Sequence, residues 1–320
     1  MADFSNEINF LKPNIQKLHL DYNNINSLKK SNYGTLLKLL EKRYKVNENQ
    51  IELFNGYSSA IYSILKFLNL KYCFIYSPCS LEYKKAASNL DYEVRLINRF
   101  ENLFLPIKEK SIVIFANPSY LDGTYYDLDK LLEYWLSKDA TVIIDESLLD
   151  FCGENASIKY LQKEYAQGQK LYIIKDFSKY YSNKHLNISS IFSNEENTKN
   201  LRKYEPEDKI SSFDMIYLEE ALKDKDFRVI SNSVNIKNRI ELEKIFHSCK
   251  YLDFLYHSSS NSLLIKLKNI SAKEFKTKLE EKDIKISNCL KHDFIDDSFI
   301  NIYVNSKTCV SNLKEVVNAL

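Results

Sequence analysis

Glycine is scarce in this chain: only Gly34, Gly56, Gly123, Gly153 and Gly168 occur among 320 residues. Because glycine alone enters positive φ without steric cost, each of them is expected to answer a backbone need, such as a sharp turn or close approach to a ligand. The six cysteines, Cys73, Cys79, Cys152, Cys249, Cys289 and Cys309, are widely scattered and contain no C-x-x-C pair. A chain of this length needs no disulfide staples, so the reading is reduced thiols in a cytoplasmic protein. The five histidines lack H-E-x-x-H or any similar metal spacing, and no metal is expected. Charge of one sign is missing as well. With 45 basic and 43 acidic residues, a net charge of +2 leaves no footprint for nucleic acid or an anionic membrane. No apolar run approaches membrane-spanning length, and the first residues, MADFSNEINFLKPN, lack the apolar segment of a signal peptide. The partners expected are small molecules.

What is present is enough apolar sequence, 44% of residues against 28% charged, to bury one large core or two unequal ones. From about residue 35 the chain alternates helical periodicity with short apolar runs. TLLKLLEKRY and SSAIYSILKFL read as helices; YCFIYSP (72–78), VRLIN, SIVIFANP (111–118), ATVIIDES (140–147) and KLYIIKDFS (170–178) read as strands, with LEYKKAASNL and LDKLLEYWLSK as helices between them. Alternating β and α elements with continuous apolar strands predict an α/β fold built on a mainly parallel sheet covered by helices. One long helical segment is expected over roughly 214–250. The tail then changes to NSLLIKLK, AKEFKTKLEEK, DIKIS, SFINIYV and VSNLKEVVNAL, the pattern of a smaller α+β unit.

In open α/β sheets ligands bind beyond the carboxyl ends of the strands, and here those ends carry polar residues. VIIDESLLDF places Asp145 where a buried strand ends, and KDFSKYY places Lys179 just past the next one. An enzyme using pyridoxal phosphate (PLP) needs this pair: a lysine that forms a Schiff base with the cofactor aldehyde, and a carboxylate that keeps the pyridine nitrogen protonated. Separately, FNGYSSAIYSIL puts Gly56 before a helix whose first turn holds Tyr57, Ser58 and Ser59. Free N–H groups at the positive end of a helix suit a phosphate, although serines there also serve simply as caps.

Taken in order, these stretches resemble the fold type I, class I/II aminotransferases, closest to the threonine-phosphate decarboxylase and histidinol-phosphate aminotransferase branch. LDYNNINSL is similar to an entry segment, Tyr33-Gly34 to the Tyr-Pro that opens the first helix, and NGYSSAI to N-G-[SA]-x-E-A-I. SPCSLEY is similar to P-T-[YF]-x-E-Y, NPSYLDG to P-N-N-P-T-G, DESLLDF to D-E-A-[YF]-[IL]-D-F, and FSKYY to [FL]-[ST]-K-F-Y. The resemblance covers essentially the whole chain. It implies a PLP-binding large domain over 30–240 and a small domain built from 1–29 and 241–320. It also implies Lys179 as the Schiff-base lysine and Asp145 as the pyridine-nitrogen partner, with Gly56, Tyr57, Ser58 and Ser178 around the phosphate. Tyr33 would reach the phosphate from the neighbouring subunit of a homodimer. The reaction implied is PLP-dependent transamination or decarboxylation of an amino acid or amine.

The chain departs from the family's pattern at several positions. The asparagine that bonds the cofactor's phenolic oxygen falls on Tyr120, which can still donate a hydrogen bond, and the ring-stacking aromatic falls on Ser80. The phosphate-binding arginine of G-L-R-L-G falls on Asn187, and the carboxylate-binding arginines fall on Ser287 and Asn301. Losing bidentate guanidinium recognition weakens the grip on an ordinary amino-acid carboxylate. Two other readings stand beside the enzyme: a non-catalytic homologue with a binding role, and a nucleotide-binding α/β protein, against which no G-x-G-x-x-G or Walker pattern follows any strand.

Overall fold

The structure is a computed structural model that describes residues 1–15, 33–153, 157–162 and 170–320. LDYNNINSL and Gly168 lie outside the described residues. The chain opens with strand β1 (Ala2–Phe4). Helix α1 (Gly34–Tyr44), strand β2 (Ile51–Phe54), helix α2 (Tyr57–Leu68), strand β3 (Tyr72–Ser77), helix α3 (Leu81–Asn89) and strand β4 (Glu93–Asn98) follow, then β5 (Ile112–Ala116), α4 (Asp129–Ser137), β6 (Thr141–Asp145), β7 (Leu171–Asp176) and β8 (Ser189–Phe192). Seven of these strands form one sheet in the order β2-β8-β7-β6-β5-β3-β4. Strands β7, β6, β5, β3 and β4 run parallel, whereas β8 is antiparallel to both β7 and β2. The fold is therefore α/β with a mixed, mostly parallel sheet.

Side chains alternate across a strand, so each central strand feeds two cores. Val113 and Phe115 of β5, Val142 and Ile144 of β6, and Leu171 and Ile173 of β7 face one cluster. Ile112, Ile114, Ile143, Tyr172 and Ile174 face the other, against α2 and α3. Each fully buried Ile, Val or Leu contributes about 1.5–3 kcal/mol relative to exposure, which is why these runs carry no alternation of apolar with polar residues. The helices answer with matching stripes: α2 buries Ala60, Ile61, Ile64 and Leu65.

Beyond the sheet come α5 (Glu195–Arg202), α6 (Ser212–Lys223), α7 (Lys225–His247), β9 (Leu252–Leu255), β10 (Ser262–Leu267), α8 (Ala272–Glu280), β11 (Ile284–Ile286), β12 (Phe299–Tyr303) and α9 (Lys307–Ala319). The single long helix expected over 214–250 is two. Asp224 leaves the helical region at φ −71 and ψ 90, and its side chain accepts from Phe227 N as the N-cap of α7. A carboxylate at the start of a helix outcompetes continuation of the preceding one. The antiparallel β2 and β8 escape the sequence pattern because they are only four residues long. The C-terminal part holds the three-stranded antiparallel sheet β12-β10-β9, and β1 pairs in parallel with β11. Its core is built on Phe4, Leu263, Ile265, Phe275, Ile302 and Leu313. Helix α7 spans both parts, with Phe227 in the large core and Leu242, Ile245 and Phe246 in the small one. Among the described residues no helix is long and apolar enough to cross a membrane.

The two parts meet tightly at Gly123, which adopts φ +72. A Cβ there would overlap the Ser258 hydroxyl and come within 2.6 Å of Ser260 Oγ and 2.7 Å of the Ser262 carbonyl. Gly123→Ala is expected to cost about 3 kcal/mol, from overpacking together with a left-handed backbone. An unchanged urea midpoint would refute this.

Candidate active site

Strand β6 ends at Asp145 and β7 ends at Asp176, adjacent in a parallel pair, so both carboxylates and the following Lys179 emerge on one edge of the sheet. Asp145, Asp176 and Lys179 are all buried. The Asp145 carboxylate is fully engaged. Its Oδ2 accepts from the hydroxyls of Tyr57 at 2.5 Å and Tyr83 at 3.1 Å. Its Oδ1 accepts from the backbone N–H of Ser147 at 2.9 Å and the Ser147 hydroxyl at 2.6 Å. A carboxylate offers about four lone-pair sites, so any further donor at Asp145 must displace one of these. The Tyr57 ring also lies 5.9 Å from Lys179 Nζ.

Lys179 is not free. Its Nζ forms an ion pair with Glu7 Oε2 at 3.1 Å and sits 4.6 Å from the centre of the Tyr120 ring. The Tyr120 hydroxyl donates to the same Glu7 oxygen at 2.8 Å. Glu7 reaches the site because the N-terminal segment is strapped over Lys179: Asn9 N donates to the Lys179 carbonyl, Asn9 Nδ2 to the Tyr180 carbonyl, and Asn261 Nδ2 to the Glu7 carbonyl. Burial alone would lower the Lys179 ammonium's pKa, but Glu7, Asp176 and Asp145 together hold it above its ordinary 10.5. Burial pushes Glu7 up, yet Lys179 and the Tyr120 hydroxyl outweigh it and keep the carboxyl below 4.5. Asp176 goes the other way: desolvation raises it although Lys179 opposes.

Because the Glu7 carboxyl is depressed in the folded protein, its contribution to stability is present above its ordinary 4.5 and is lost as pH falls through the lower folded value. The stability gap between wild type and Glu7→Gln is therefore expected to be constant near neutrality and to close in acid below pH 4.5. Unfolding curves at stepped pH test this; a gap that widens in acid would contradict it.

The candidate phosphate site lies at the start of α2. Gly56 caps that helix at φ +87 with no side-chain capping bond, leaving the N-terminal N–H groups and the exposed Ser58 facing outward. The Asn187 amide lies against Gly56, 3.5 Å from where a Cβ would stand. The Ser178 hydroxyl donates to Asp176 Oδ2 at 2.7 Å. Ser80, at the N-cap of α3, is buried and stacks nothing. Tyr33 lies elsewhere: its hydroxyl donates to the Glu207 carbonyl and accepts from Lys209 N within the same chain. The Asn301 amide is held by the carbonyls of Leu121 and Leu263 and the Ser262 hydroxyl, and Ser287 bridges to Asn301.

The structure thus groups Lys179, Asp145, Tyr57 and Tyr120, sets Asn187 against Gly56, leaves Ser58 exposed on α2 and Ser178 bonded to Asp176, and holds Tyr33 within its own chain. Glu7 and Tyr83 were missed, and Asp176, read from the sequence as a polar strand-end residue, was given no role; nothing local marks Glu7. All six cysteines are unbridged, and burial pushes the Cys79 thiol up to about 12, so it is unreactive.

An amine and a carboxylate at adjacent strand ends, facing an uncapped helix N-terminus, is the donor set of a PLP site, and the residues present fit that cofactor. The fit is poorest at the phosphate, where a neutral amide and backbone N–H groups stand without a guanidinium. Comparison with known proteins places the fold in the class of PLP-dependent aminotransferases. The chain superposes on the histidinol-phosphate aminotransferase of Clostridium acetobutylicum with a TM-score of 0.81 at 20% identity, covering 100% of this chain and 98% of the other. It superposes on the L-threonine-O-3-phosphate decarboxylase of Porphyromonas gingivalis at 0.82 and 20%, covering 100% and 99%. For the histidinol-phosphate aminotransferase of Sinorhizobium meliloti in complex with pyridoxal-5'-phosphate the values are 0.77 and 13%, covering 99% and 90%.

In sequence the chain is 26% identical to the adenosylcobalamin biosynthesis bifunctional protein CobDQ of Leptospira interrogans, across 96% of this chain but only 37% of that protein. It is 28% identical to a histidinol-phosphate aminotransferase of Brachyspira hyodysenteriae, across 83% of this chain and 76% of the relative. No protein-family profile matches the chain. The resemblance to the class I/II aminotransferases read from the sequence is borne out by these relatives and by the fold.

Proposed function

We propose that this chain is a PLP-dependent enzyme acting on the amino group of a small molecule, of the aminotransferase type with decarboxylation as the related outcome. The observation that carries the reading is the convergence of Lys179 and Asp145, both buried, on the edge of the sheet where α2 presents its N-terminus. When bound, PLP supplies an aldehyde that condenses with amines and a cationic ring that withdraws electrons from the carbon bearing the amine. Lys179 Nζ would be the group that holds the cofactor and moves the proton at that carbon. Asp145 would be the carboxylate that keeps the ring nitrogen protonated, and the N–H groups of α2, with Ser58 and Asn187, would hold the phosphate. The Tyr120 ring packs against Lys179, 4.6 Å from Nζ.

A homodimer in the cytoplasm, with the large domain over 30–240 and the small one over 1–29 and 241–320, completes the reading by likeness to such enzymes. It is supported by the separate C-terminal core and by the prevalence of isologous dimers. In that assembly Tyr33 serves its own 207–210 segment, whatever it contributes across the interface. The scaffold alternative has less support, because a binding protein has no use for a buried lysine ringed by carboxylates at a cost in desolvation.

The test is to mix the protein with PLP, reduce with borohydride, and map the labelled peptide by mass spectrometry. The expected result is one modified lysine, Lys179, together with a visible absorbance band before reduction. A colourless protein, or label scattered over surface lysines, would overturn the reading.

A further inference from the structure

Among the described histidines, His185, His247 and His257 are exposed, whereas His292 is only 7% exposed. It lies between β11 and β12, in a segment of the C-terminal part that crosses to the sheet and is fastened there. Lys84 of α3 pairs with Asp293 at 2.6 Å. Cys289, Ile295 and Phe299 pack with Phe100, Tyr120 and Leu121 in one apolar cluster. The imidazole stands amid these ties. Its Nδ1 lies 3.1 Å from the Cys79 carbonyl; a carbonyl only accepts, so Nδ1 carries the hydrogen and Nε2 presents a lone pair. Its ring packs against Tyr120, with centres 5.6 Å apart and planes tilted by 43°. Burial lowers the imidazole's pKa below its ordinary 6.5 against the pull of the Cys79 carbonyl, Asp293 and Glu7, and Lys291 adds to the lowering, so the ring is neutral at neutral pH.

Both contacts lead into the candidate site. Tyr120 is the ring that lies 4.6 Å from Lys179 Nζ. Cys79 feels the Asp145 charge, and the next residue, Ser80, sits against the Tyr57 hydroxyl that donates to Asp145. On that segment Ser80 offers a hydroxyl and no ring. His292 therefore touches one neighbour of Lys179 and one neighbour of Asp145, the two groups that PLP would link through its aldehyde and its ring nitrogen.

We propose that His292 is a cofactor-binding residue whose imidazole packs on the PLP ring, so that the C-terminal part supplies one wall of the cofactor site. This rests on the PLP reading above. A neutral aromatic face suits an electron-poor, cationic ring, and offset or tilted ring pairs contribute beyond the area they bury. An imidazolium would repel the same ring. Cofactor uptake and docking of the 287–298 segment then support each other, because the imidazole that meets the ring also holds the Cys79 carbonyl.

The first arm of the test uses the wild type and reads the residue directly. With histidine isotopically labelled, PLP should shift the His292 nuclear magnetic resonance through the ring current of the bound cofactor, while those of the exposed His247 and His257 stay in place. Inorganic phosphate, which can occupy the start of α2 without bringing a ring, should leave His292 unmoved. The resonance is assigned by its loss in His292→Phe. A His292 signal that ignores PLP, or that phosphate moves equally, overturns the proposal.

The second arm separates the ring from the hydrogen bond. His292→Phe keeps a ring and loses the bond to Cys79; His292→Asn keeps a donor and loses the ring. PLP dissociation constants are read from the bound-cofactor absorbance. The constant should stay close to wild type in His292→Phe and rise about threefold to tenfold in His292→Asn, the range an aromatic contact contributes. If His292→Phe binds PLP no more tightly than His292→Asn, His292 is only a latch between the two parts and the proposal fails. A protein that takes up no PLP refutes the proposed function and this proposal with it, whereas uptake of PLP with an unmoved His292 refutes this proposal alone.

Discussion

Lys179→Ala is expected to reduce amine turnover by roughly 10⁴-fold, the upper end of what a positioned proton-transfer group supplies, because in the proposed function the same nitrogen also anchors the cofactor. The loss should appear in kcat, with PLP still bound weakly and without covalent label. Lys179→Arg separates charge from chemistry. A guanidinium can keep a cation beside Glu7, Asp176 and Asp145, the groups that raise the lysine, but it cannot condense with an aldehyde. Thermal stability should therefore be largely restored in Lys179→Arg while turnover remains absent. Lys199→Ala, on the exposed face of α5, serves as the control. Turnover by Lys179→Ala within tenfold of wild type would remove Lys179 from the reaction.

The second large effect concerns stability. Lys175 Nζ lies 3.0 Å from Glu146 Oε2, with side chains 1% and 0% exposed, which makes this an ion pair out of reach of water. Glu146 Oε1 also accepts from Ser157 N, and Lys175 lies 4.8 Å above the Tyr44 ring. Asp150 shares the same cation: burial raises its pKa, and Lys175 and Arg43 bring it below the usual value. Lys175→Met is expected to destabilise the fold by about 3–5 kcal/mol, because an uncompensated buried carboxylate remains. Replacing both partners, as Lys175→Met with Glu146→Leu, should recover part of that loss, since the apolar pair has no charge to desolvate while Asp150 keeps Arg43 but still loses Lys175. Urea unfolding of the two single variants and the double variant closes the cycle. A single variant within 1 kcal/mol of wild type would show that the pair is hydrated or dispensable.

These residues also show how legibility divides. The parallel strands were readable because burial on both faces demands unbroken apolar runs, as in TVIID and LYIIKD, with a carboxylate marking the exit from each. Gly56 was readable because a helix start at positive φ admits little else. The break at Asp224 was not, since an acid inside a helical period looks like one more exposed position until its side chain turns to cap the next helix. The short strands β2 and β8 hold too few residues to display a period, and pairing with neighbours defines them.

By itself, then, the sequence determined the strand-and-helix order, the placement of Lys179 and Asp145 at neighbouring strand ends, and the glycine at the head of α2. All three follow from local rules of burial, periodicity and backbone freedom. Tertiary structure alone decided the company those residues keep. Glu7 arrives from the N-terminal strap, Tyr57 and Tyr83 converge on Asp145, and Tyr120 turns to Glu7. Electrostatic partnership depends on distance in space and on exclusion of water, neither of which is encoded in spacing along the chain.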